Sequence, residues 1–456
     1  MESKKANVVI CGAGIAGIST AFHLALRGVK EIVLVDERAP MSLTSDKSSE
    51  CYRNWWTGPG DAMVSLMNHS IDLMERYADH SGNIFHMNRR GYLYLSADPV
   101  HLPAFIQAAQ EPSELGAGPL RIHRGKLSDP VYIPSTNRGY QGMPTGADLL
   151  LSQDLIRTYF PYLPAHVTAA LHVRRAGWFS AHQLGTYLLE QALALGVRLV
   201  QTSVIDIEIR NNHIQVVQLS NGINIKTDTF VNAAGPFAHK VGQLLGVEIP
   251  IYNELHLKVA FRDPLGVVPR DAPLLIWSDP QELPWSDEER EWLAQEENMR
   301  KLLSIRPAGA HTRPEGGQDS DIILLLWQYD THIADPVYPP KLDEMYPEIA
   351  LRGISAIFPG LAQYFERLPR PMLDGGYYTK TRENRPLIGR LPVEGAYILG
   401  ALSGFGLMAG CGAGDLLAAQ ITGESVPAFT ADFSITRYED PAYQRLLEHW
   451  PDQAQL

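Results

Sequence analysis

Cysteine is scarce in this sequence. Cys11, Cys51 and Cys411 are far apart, odd in number and never in C-x-x-C spacing. That excludes a disulfide framework and a cysteine zinc site and suits a reducing compartment; no metal site is read from the chain. No run of about 18 apolar residues occurs, so no membrane span is expected. Met1-Glu-Ser-Lys-Lys-Ala6 passes straight into an apolar stretch and leaves no room for a signal peptide, which makes a cytoplasmic location the default expectation. Positive charge is also short. Lys and Arg number 39 against 51 Asp and Glu, a formal net charge of −12, which argues against a nucleic-acid surface. What remains is 456 residues, 45% hydrophobic and 20% charged, the balance of a soluble globular chain with two or three domains' worth of structure.

The most informative stretch is Asn7-Val-Val-Ile-Cys-Gly-Ala-Gly-Ile-Ala-Gly17, continuing to Val33-Leu-Val-Asp36. It reads as a buried strand, a glycine turn, a helix and a second strand ending in an acid. Gly12 allows the tight turn, Gly14 lets the backbone approach a pyrophosphate, and Gly17 allows close packing of helix on strand. The helix N-terminus offers N–H groups to phosphate, and Asp36 falls about 20 residues on, where an acid bonds a ribose hydroxyl. The context is the required one. Val8 to Ile10 is apolar, while Ile15, Ile18, Phe22 and Leu26 keep helical spacing before Gly28.

Further along, Thr44-Ser-Asp-Lys-Ser-Ser49 is a hydroxyl-rich loop, and Arg53 next to Trp55 and Trp56 suggests a lined cavity. Ala62 to Ala78 has helical spacing and Gly91 to Leu95 alternates as a strand. Residues 113–147 lack periodicity and read as an irregular insertion or lid. Gln183 to Gly196 reads as a helix, and a three-stranded meander then runs from Ile205 to Lys226 with turns at Asn211-Asn212 and Asn221-Gly222. Val231-Asn-Ala-Ala-Gly-Pro236 ends a strand in small residues. Ser286 to Leu303 reads as a charged, solvated helix. Near the end, Leu402-Ser-Gly-Phe-Gly406 leads from a short strand into the helix Leu407 to Ile421, a second glycine turn able to press on a flat ligand beside a helix N-terminus.

These three blocks, in this order, make the chain resemble the D-amino-acid oxidase superfamily of FAD enzymes, most closely its sarcosine, dimethylglycine and glycine oxidase/dehydrogenase branch. The resemblance covers nearly the whole chain and is strongest over the first 60 residues and over 375–425. It implies a mixed α/β fold: a Rossmann-like FAD-binding domain (1–85, 148–247 and 376–456) and a discontinuous second domain on a mixed, mostly antiparallel sheet (86–147 and 248–375). It implies non-covalent FAD, with adenosine at the fingerprint and the isoalloxazine at the domain junction. The expected cofactor residues are Gly12, Gly14, Ile15, Ala16 and Gly17 at the pyrophosphate, and Asp36, Glu37 and Arg38 at the ribose. Ser45, Lys47, Ser48 and Ser49 follow in the loop, Val204 near adenine, then Ala234 and Gly235. Gly404, Phe405, Gly406, Leu407 and Met408 complete the set at the flavin. Arg53 matches a substrate-carboxylate arginine and Tyr378 a substrate-side tyrosine.

The implied activity is oxidation of a small secondary or tertiary amine, an N-alkylated amino acid, by hydride transfer to flavin N5 and imine hydrolysis, with oxygen or another electron acceptor. Three departures qualify it. Gly376 stands where the branch carries a flavin-linked cysteine, Met408 where it has a second carboxylate-binding lysine. No lysine lies between Lys301 and Lys341, where the oxygen-activating one belongs. Arg382 or Arg385 could compensate. His256 reads as structural before catalytic, and Trp327 and Tyr329 as cavity walls or core with equal right. A primary-amine deaminase, a 2-hydroxy-acid dehydrogenase and a non-catalytic flavoprotein assembly factor stay open. A pyridine-nucleotide disulfide reductase does not, for want of a cysteine pair and a second fingerprint.

Overall fold

Two sheets organise the chain in the computed structural model, which describes residues 3–136 and 139–450. The first has six strands in the order Arg198–Gln201, Ile32–Asp36, Val8–Cys11, Phe230–Asn232, Ala396–Gly400 and Leu387–Arg390. The first five are parallel and the last is antiparallel. Val8 to Ile10 and Ile32 to Val35 are buried, as parallel strands covered on both faces must be. Gly12 leaves the first strand at φ +112°, and a Cβ there would lie 2.2 Å from the Ala233 carbonyl oxygen. The helix Ile15–Leu26 packs against the C-terminal helix Gly406–Thr422, where a Cβ on Gly414 would lie 2.3 Å from Ser19 Oγ. That contact brings the ends of the sequence together. A small four-stranded sheet adds the meander, with Ser3–Lys5 paired to Asn224–Lys226.

The second large sheet has nine strands: Met372–Lys380, Tyr252–Arg262, Ile322–Leu326, Ala310–Glu315, Leu274–Trp277, Tyr92–Ser96, Ala169–Val173, Ala147–Leu150 and Leu120–His123. All neighbours are antiparallel except Leu274–Trp277 with Tyr92–Ser96 and Leu120–His123 with Ala147–Leu150. This is the mixed, mostly antiparallel sheet expected beside a Rossmann-like half. One face packs on the helix Tyr346–Ile354 through Val259, Phe261, Leu325 and Trp327. We propose dividing the chain by sheet membership, which moves the expected boundary at residue 148 to beyond Val173.

Two local expectations change. The 113–147 insertion is not irregular throughout: Leu120–His123 forms the edge strand of the large sheet, four residues being too few to show a period. Asn137 and Arg138 of that insertion lie outside the described residues. The charged segment at 286–303 is not one helix: an α-helix over Asp287–Gln295, opened by a Ser286–Glu289 capping box, is followed by a separate 3-10 turn over Arg300–Leu303. Its Glu289 pairs with the buried Arg352, so the helix is bound to the core rather than merely solvated.

The edge of this sheet also buries a charged cluster. Asp148 receives Arg121 at 2.6 Å, His123 at 2.9 Å and Arg174 at 3.2 Å. His172, fully buried, donates from Nε2 to the Arg90 carbonyl at 2.9 Å and accepts at Nδ1 from Tyr132 at 2.7 Å and Arg174 at 3.0 Å. Burial and the Arg174 charge push the imidazole down to about 3. The unfolded chain therefore takes up a proton below about pH 6.5 that the folded chain refuses until about pH 3, and stability falls as pH drops through that window. The expected loss is on the order of 4 kcal/mol. His172→Asn is expected to be less stable at pH 7 yet to show a flatter decline in urea-unfolding free energy from pH 7 to 4; an unchanged slope would contradict it.

Candidate functional site

The helix N-terminus and the strand-end acid meet at one end of a cavity of about 390 Å³. Asp36 is oriented from both oxygens: Ala13 N–H donates to one at 2.7 Å and Arg38 N–H to the other at 2.9 Å. A carboxylate has about four acceptor positions, so lone pairs remain for hydroxyls. Ser45 Oγ accepts from Ile15 N–H at 3.1 Å at the first turn of the helix. Of the expected cofactor residues, Gly12, Gly14, Ile15, Ala16, Asp36, Glu37, Arg38, Ser45 and Ser48 line this cavity. So do Val204, Ala234, Gly235, Gly404, Gly406 and Leu407, together with Tyr378. Gly17 does not line it. Its place is against the turn, where a Cβ would lie 1.8 Å from the Gly12 carbonyl oxygen.

A second, smaller cavity of about 30 Å³ adjoins it, sharing Tyr378 and Gly404. Its walls are Ser49, Arg53, Trp56, Tyr92, His311, Gln328, Phe405 and Met408. Arg53 is 5% exposed, lies 4.2 Å over the Trp56 ring, and donates from Nε to the Trp55 carbonyl at 3.1 Å. Burial raises the Tyr378 phenol to about 12, so it stays neutral. The two cavities thus separate a glycine-turn and helix-N-terminus end from an aromatic end with one buried arginine.

The floor of the smaller cavity is one face of the nine-stranded sheet, and the larger cavity meets that sheet only at its edge strand, through Tyr377, Tyr378 and Thr379. Register places Tyr92, His311, Arg313, Lys258, His256, Tyr378 and Glu254 on the same side, because residues two apart on a strand share a face. The sequence reading missed His311, Arg313 and Lys258, since nothing local marks which strand faces which. Arg313 is fully buried: it donates to the Ser49 carbonyl at 2.9 Å and pairs with Glu315 at 2.6 Å and Glu50 at 3.5 Å. Lys258 Nζ donates to the Ser48 carbonyl at 2.9 Å and the Asp46 carbonyl at 3.3 Å, and burial lowers its pKa. It stands directly across from Leu326, inside the window where no lysine was found in sequence.

Other expectations resolve by placement. Lys47 does not line the cavity; it pairs with Asp374 at 3.1 Å and Asp46 at 2.9 Å. A Cβ on Gly376 would lie 2.8 Å from Lys47 Cβ, so a larger residue there meets the loop. Arg385 is held outside by the Pro59 carbonyl, Asp432 and the Trp450 ring, and Arg382 is exposed. Neither compensates in the cavity. Trp327 and Tyr329 belong to the core on the far face, while Gln328 between them reaches the smaller cavity. His256 stacks on Tyr378 at 3.9 Å and 22° and bonds Glu254 at 3.0 Å, which Lys380 also holds. Burial would raise the Glu254 carboxyl, but His256 and Lys380 overcome it and bring it to about 2.

The family model described as DAO, FAD dependent oxidoreductase, matches residues 7–420. Human mitochondrial dimethylglycine dehydrogenase is 25% identical over 259 residues, 55% of this chain and 26% of that protein. The mouse mitochondrial pyruvate dehydrogenase phosphatase regulatory subunit is 27% identical over 278 residues, 59% of this chain and 27% of that protein. The chain therefore spans about a quarter of the length of these curated relatives. Among solved structures, L-proline dehydrogenase from P. horikoshii superposes with a TM-score of 0.73 at 21% identity, covering 96% of this chain and 99% of that one. No helix among the described residues is long and apolar enough to cross a membrane.

Removing the buried cation tests the sheet-face geometry without any ligand. Arg313→Met removes the charged donor shared by Glu50, Glu315 and the Ser49 carbonyl; among the described residues Glu50 then keeps only the Ala181 N–H and the Ser49 carbonyl only the Cys51 thiol. The expected loss is about 3 kcal/mol, the low end for a broken buried pair because both carboxylates can rehydrate. Urea unfolding measures it, and a loss under about 1 kcal/mol would place the arginine in solvent contact instead.

Proposed function

Within the DAO family of FAD-dependent oxidoreductases, to which this chain belongs, we propose that the protein oxidises the C–N bond of a small amine, a secondary or tertiary N-alkylated amino acid. The observation that carries this reading is Arg53, a nearly buried guanidinium in a small aromatic-walled cavity joined to the larger cavity at Tyr378 and Gly404. A planar fork suits a carboxylate, and the rings of Trp56, Tyr92, Tyr378 and Phe405 suit the alkyl groups.

The residues present fit FAD. The larger cavity is lined from Asp36 to Gly404, with a strand-end carboxylate that keeps acceptor positions free beside a glycine turn and a helix N-terminus. In this reading Gly12, Gly14, Ile15 and Ala16 face the pyrophosphate, with Gly17 packed behind the turn. Asp36, Glu37 and Arg38 hold the ribose, and Val204 lies beside adenine. Ser45, Ser48, Ala234 and Gly235 line the middle. Gly404, Gly406 and Leu407 face the flavin ring, and Phe405 and Met408 turn to the substrate side. Gly376 offers no thiol, so a cysteine linkage at that position is absent. When bound, FAD supplies the two-electron acceptor, taking hydride at N5.

The chain's own residues orient and desolvate. Arg53 holds the carboxylate, and Trp56 stacked on the guanidinium keeps its fork in plane. Tyr378, braced by His256, forms the wall between the two compartments. Phe405 meets Trp56 edge-on at 5.3 Å and closes the site against water. The amine must bind neutral at nitrogen. Its lone pair becomes the second bond of the C=N product as the α-hydrogen leaves with its electron pair. The product is a cationic iminium, and water hydrolyses it to a carbonyl compound and the dealkylated amine with release of one proton. The N-terminus of the Gly406–Thr422 helix directs a positive field toward the place where negative charge develops.

The relative named as a phosphatase regulatory subunit favours a second reading, a flavoprotein without turnover. Anaerobic bleaching of the visible flavin spectrum separates the two. N-methyl amino acids are expected to bleach it faster than primary amino acids or 2-hydroxy acids; a flavin that none of them reduces supports the second reading. Arg53→Met is expected to raise KM for a carboxylate-bearing amine about a hundredfold with a smaller change in kcat, since the lost contact is made in ground state and transition state alike. An unchanged KM would remove Arg53 from substrate binding.

A further inference from the structure

His311 lies on the strand Ala310–Glu315, on the sheet face that floors the site, and lines the smaller cavity beside Arg53. It is 5% exposed. Its Nδ1 is 2.8 Å from the Gly309 carbonyl oxygen. A carbonyl only accepts, so the ring hydrogen is on Nδ1 and the neutral ring keeps a lone pair on Nε2. Burial, with the Arg53 and Arg313 charges adding to it, holds the pKa down to about 4, so the ring is neutral at working pH. Nε2 has no hydrogen-bond partner among the described residues.

The other polar walls are ambivalent. The hydroxyls of Tyr92 and Tyr378 and the carboxamide of Gln328 can each turn to donate or accept. Nε2 of His311 is an acceptor only, and its tautomer is fixed by the backbone. An acceptor beside a buried cation complements a molecule carrying an anion and, a short distance away, an N–H.

We propose that His311 is a specificity-determining residue of this site: its Nε2 accepts a hydrogen bond from the N–H of the bound neutral amine, so that primary and secondary amines are selected over tertiary ones. This rests on the amine-oxidising reading above and narrows it. A secondary amine that has lost its extra proton keeps one N–H and can bond Nε2 while its lone pair stays directed at the carbon to be oxidised. A tertiary amine in the same pose has no hydrogen to give and places an alkyl group against an unpaired acceptor. A buried polar group left without its partner separates the two ligands by roughly ten- to a hundredfold.

The test uses the FAD-loaded protein and two probes, N-methylglycine and N,N-dimethylglycine. Perturbation of the flavin absorbance gives each Kd, and anaerobic reduction gives each rate. The wild type is expected to favour N-methylglycine at least tenfold in Kd or in reduction rate at low ligand concentration. His311→Phe is expected to bring the ratio to within about threefold, chiefly by losing affinity for the secondary amine. His311→Asn retains an acceptor and is expected to fall between them, with visible flavin confirming that each variant holds its cofactor. A wild type that treats the two probes alike, or a ratio unchanged in His311→Phe, overturns the role of His311 and leaves the amine reading standing. A wild type that neither binds nor is reduced by any amine overturns both.

Discussion

The loop at 44–50 is where the two large sheets are joined, and the site exists because that loop is tied from both sides. Ser45 is bound to the first turn of the fingerprint helix, and Thr44 Oγ1 donates to the Tyr377 carbonyl at 3.0 Å. Lys47 pairs with Asp374 across the strand Met372–Lys380. Lys258 and Arg313 then draw the carbonyls of Asp46, Ser48 and Ser49 onto the sheet face. A loop carries little burial of its own, and ordering each residue costs about 1–2 kcal/mol in backbone entropy. Buried charged donors bonded to main-chain carbonyls are among the stronger hydrogen bonds available to offset this. The same ties set the spacing between the glycine-turn end, which includes Ser45, and the aromatic end, which begins at Ser49.

Charge on the site face is arranged so that the smaller cavity contains one cation and no carboxylate among the described residues. Arg313 is neutralised by Glu50 and Glu315 outside that cavity, and Glu254 is neutralised by Lys380 behind Tyr378. His256 and His311 are both lowered by burial and stay neutral. Arg53 therefore lies in a low-dielectric setting, where a charge interacts more strongly than at a surface.

What the sequence disclosed was local, and what it hid was register. The fingerprint from Val8 to Asp36 was legible because strand, turn, helix and acid are contiguous and each residue's requirement can be stated from its neighbours. The turn at Ser403 to Gly406 and the helix after it were legible for the same reason. Arg53 and Tyr378 came from resemblance, and the geometry gathers them around the shared wall of the two cavities. Lys258, His311 and Arg313 were invisible. Nothing in Leu255–Phe261 or in Ala310–Glu315 states which neighbour it pairs with or which alternate residues share a face with Tyr378, and Ala310–Glu315 does not announce itself as a strand at all. The surplus arginines misled in the opposite way: Arg382 and Arg385 sit in a motif that borders the site, yet Arg385 is spent on Asp432, Pro59 and Trp450. Trp327 and Gln328 show how fine the distinction is, since one step along a strand moves a side chain from the core to the cavity.

The lost second lysine can be weighed against this arrangement. Met408 fills its place with a polarizable, uncharged chain on the wall of a cavity of about 30 Å³. At about 10–15 Å³ for each water-sized group, that space holds two or three such groups in the conformation described. Two cations in so small a volume would repel each other strongly in the absence of a ligand, and a low dielectric magnifies the repulsion. Arg53 is stacked on Trp56 and held by the Trp55 carbonyl, so its fork is oriented by the protein itself. In the proposed reading, recognition depends on one oriented contact to the anion and on the fit of the remaining atoms among aromatic rings. A site built this way discriminates by shape and by hydrogen-bond complement more than by total charge.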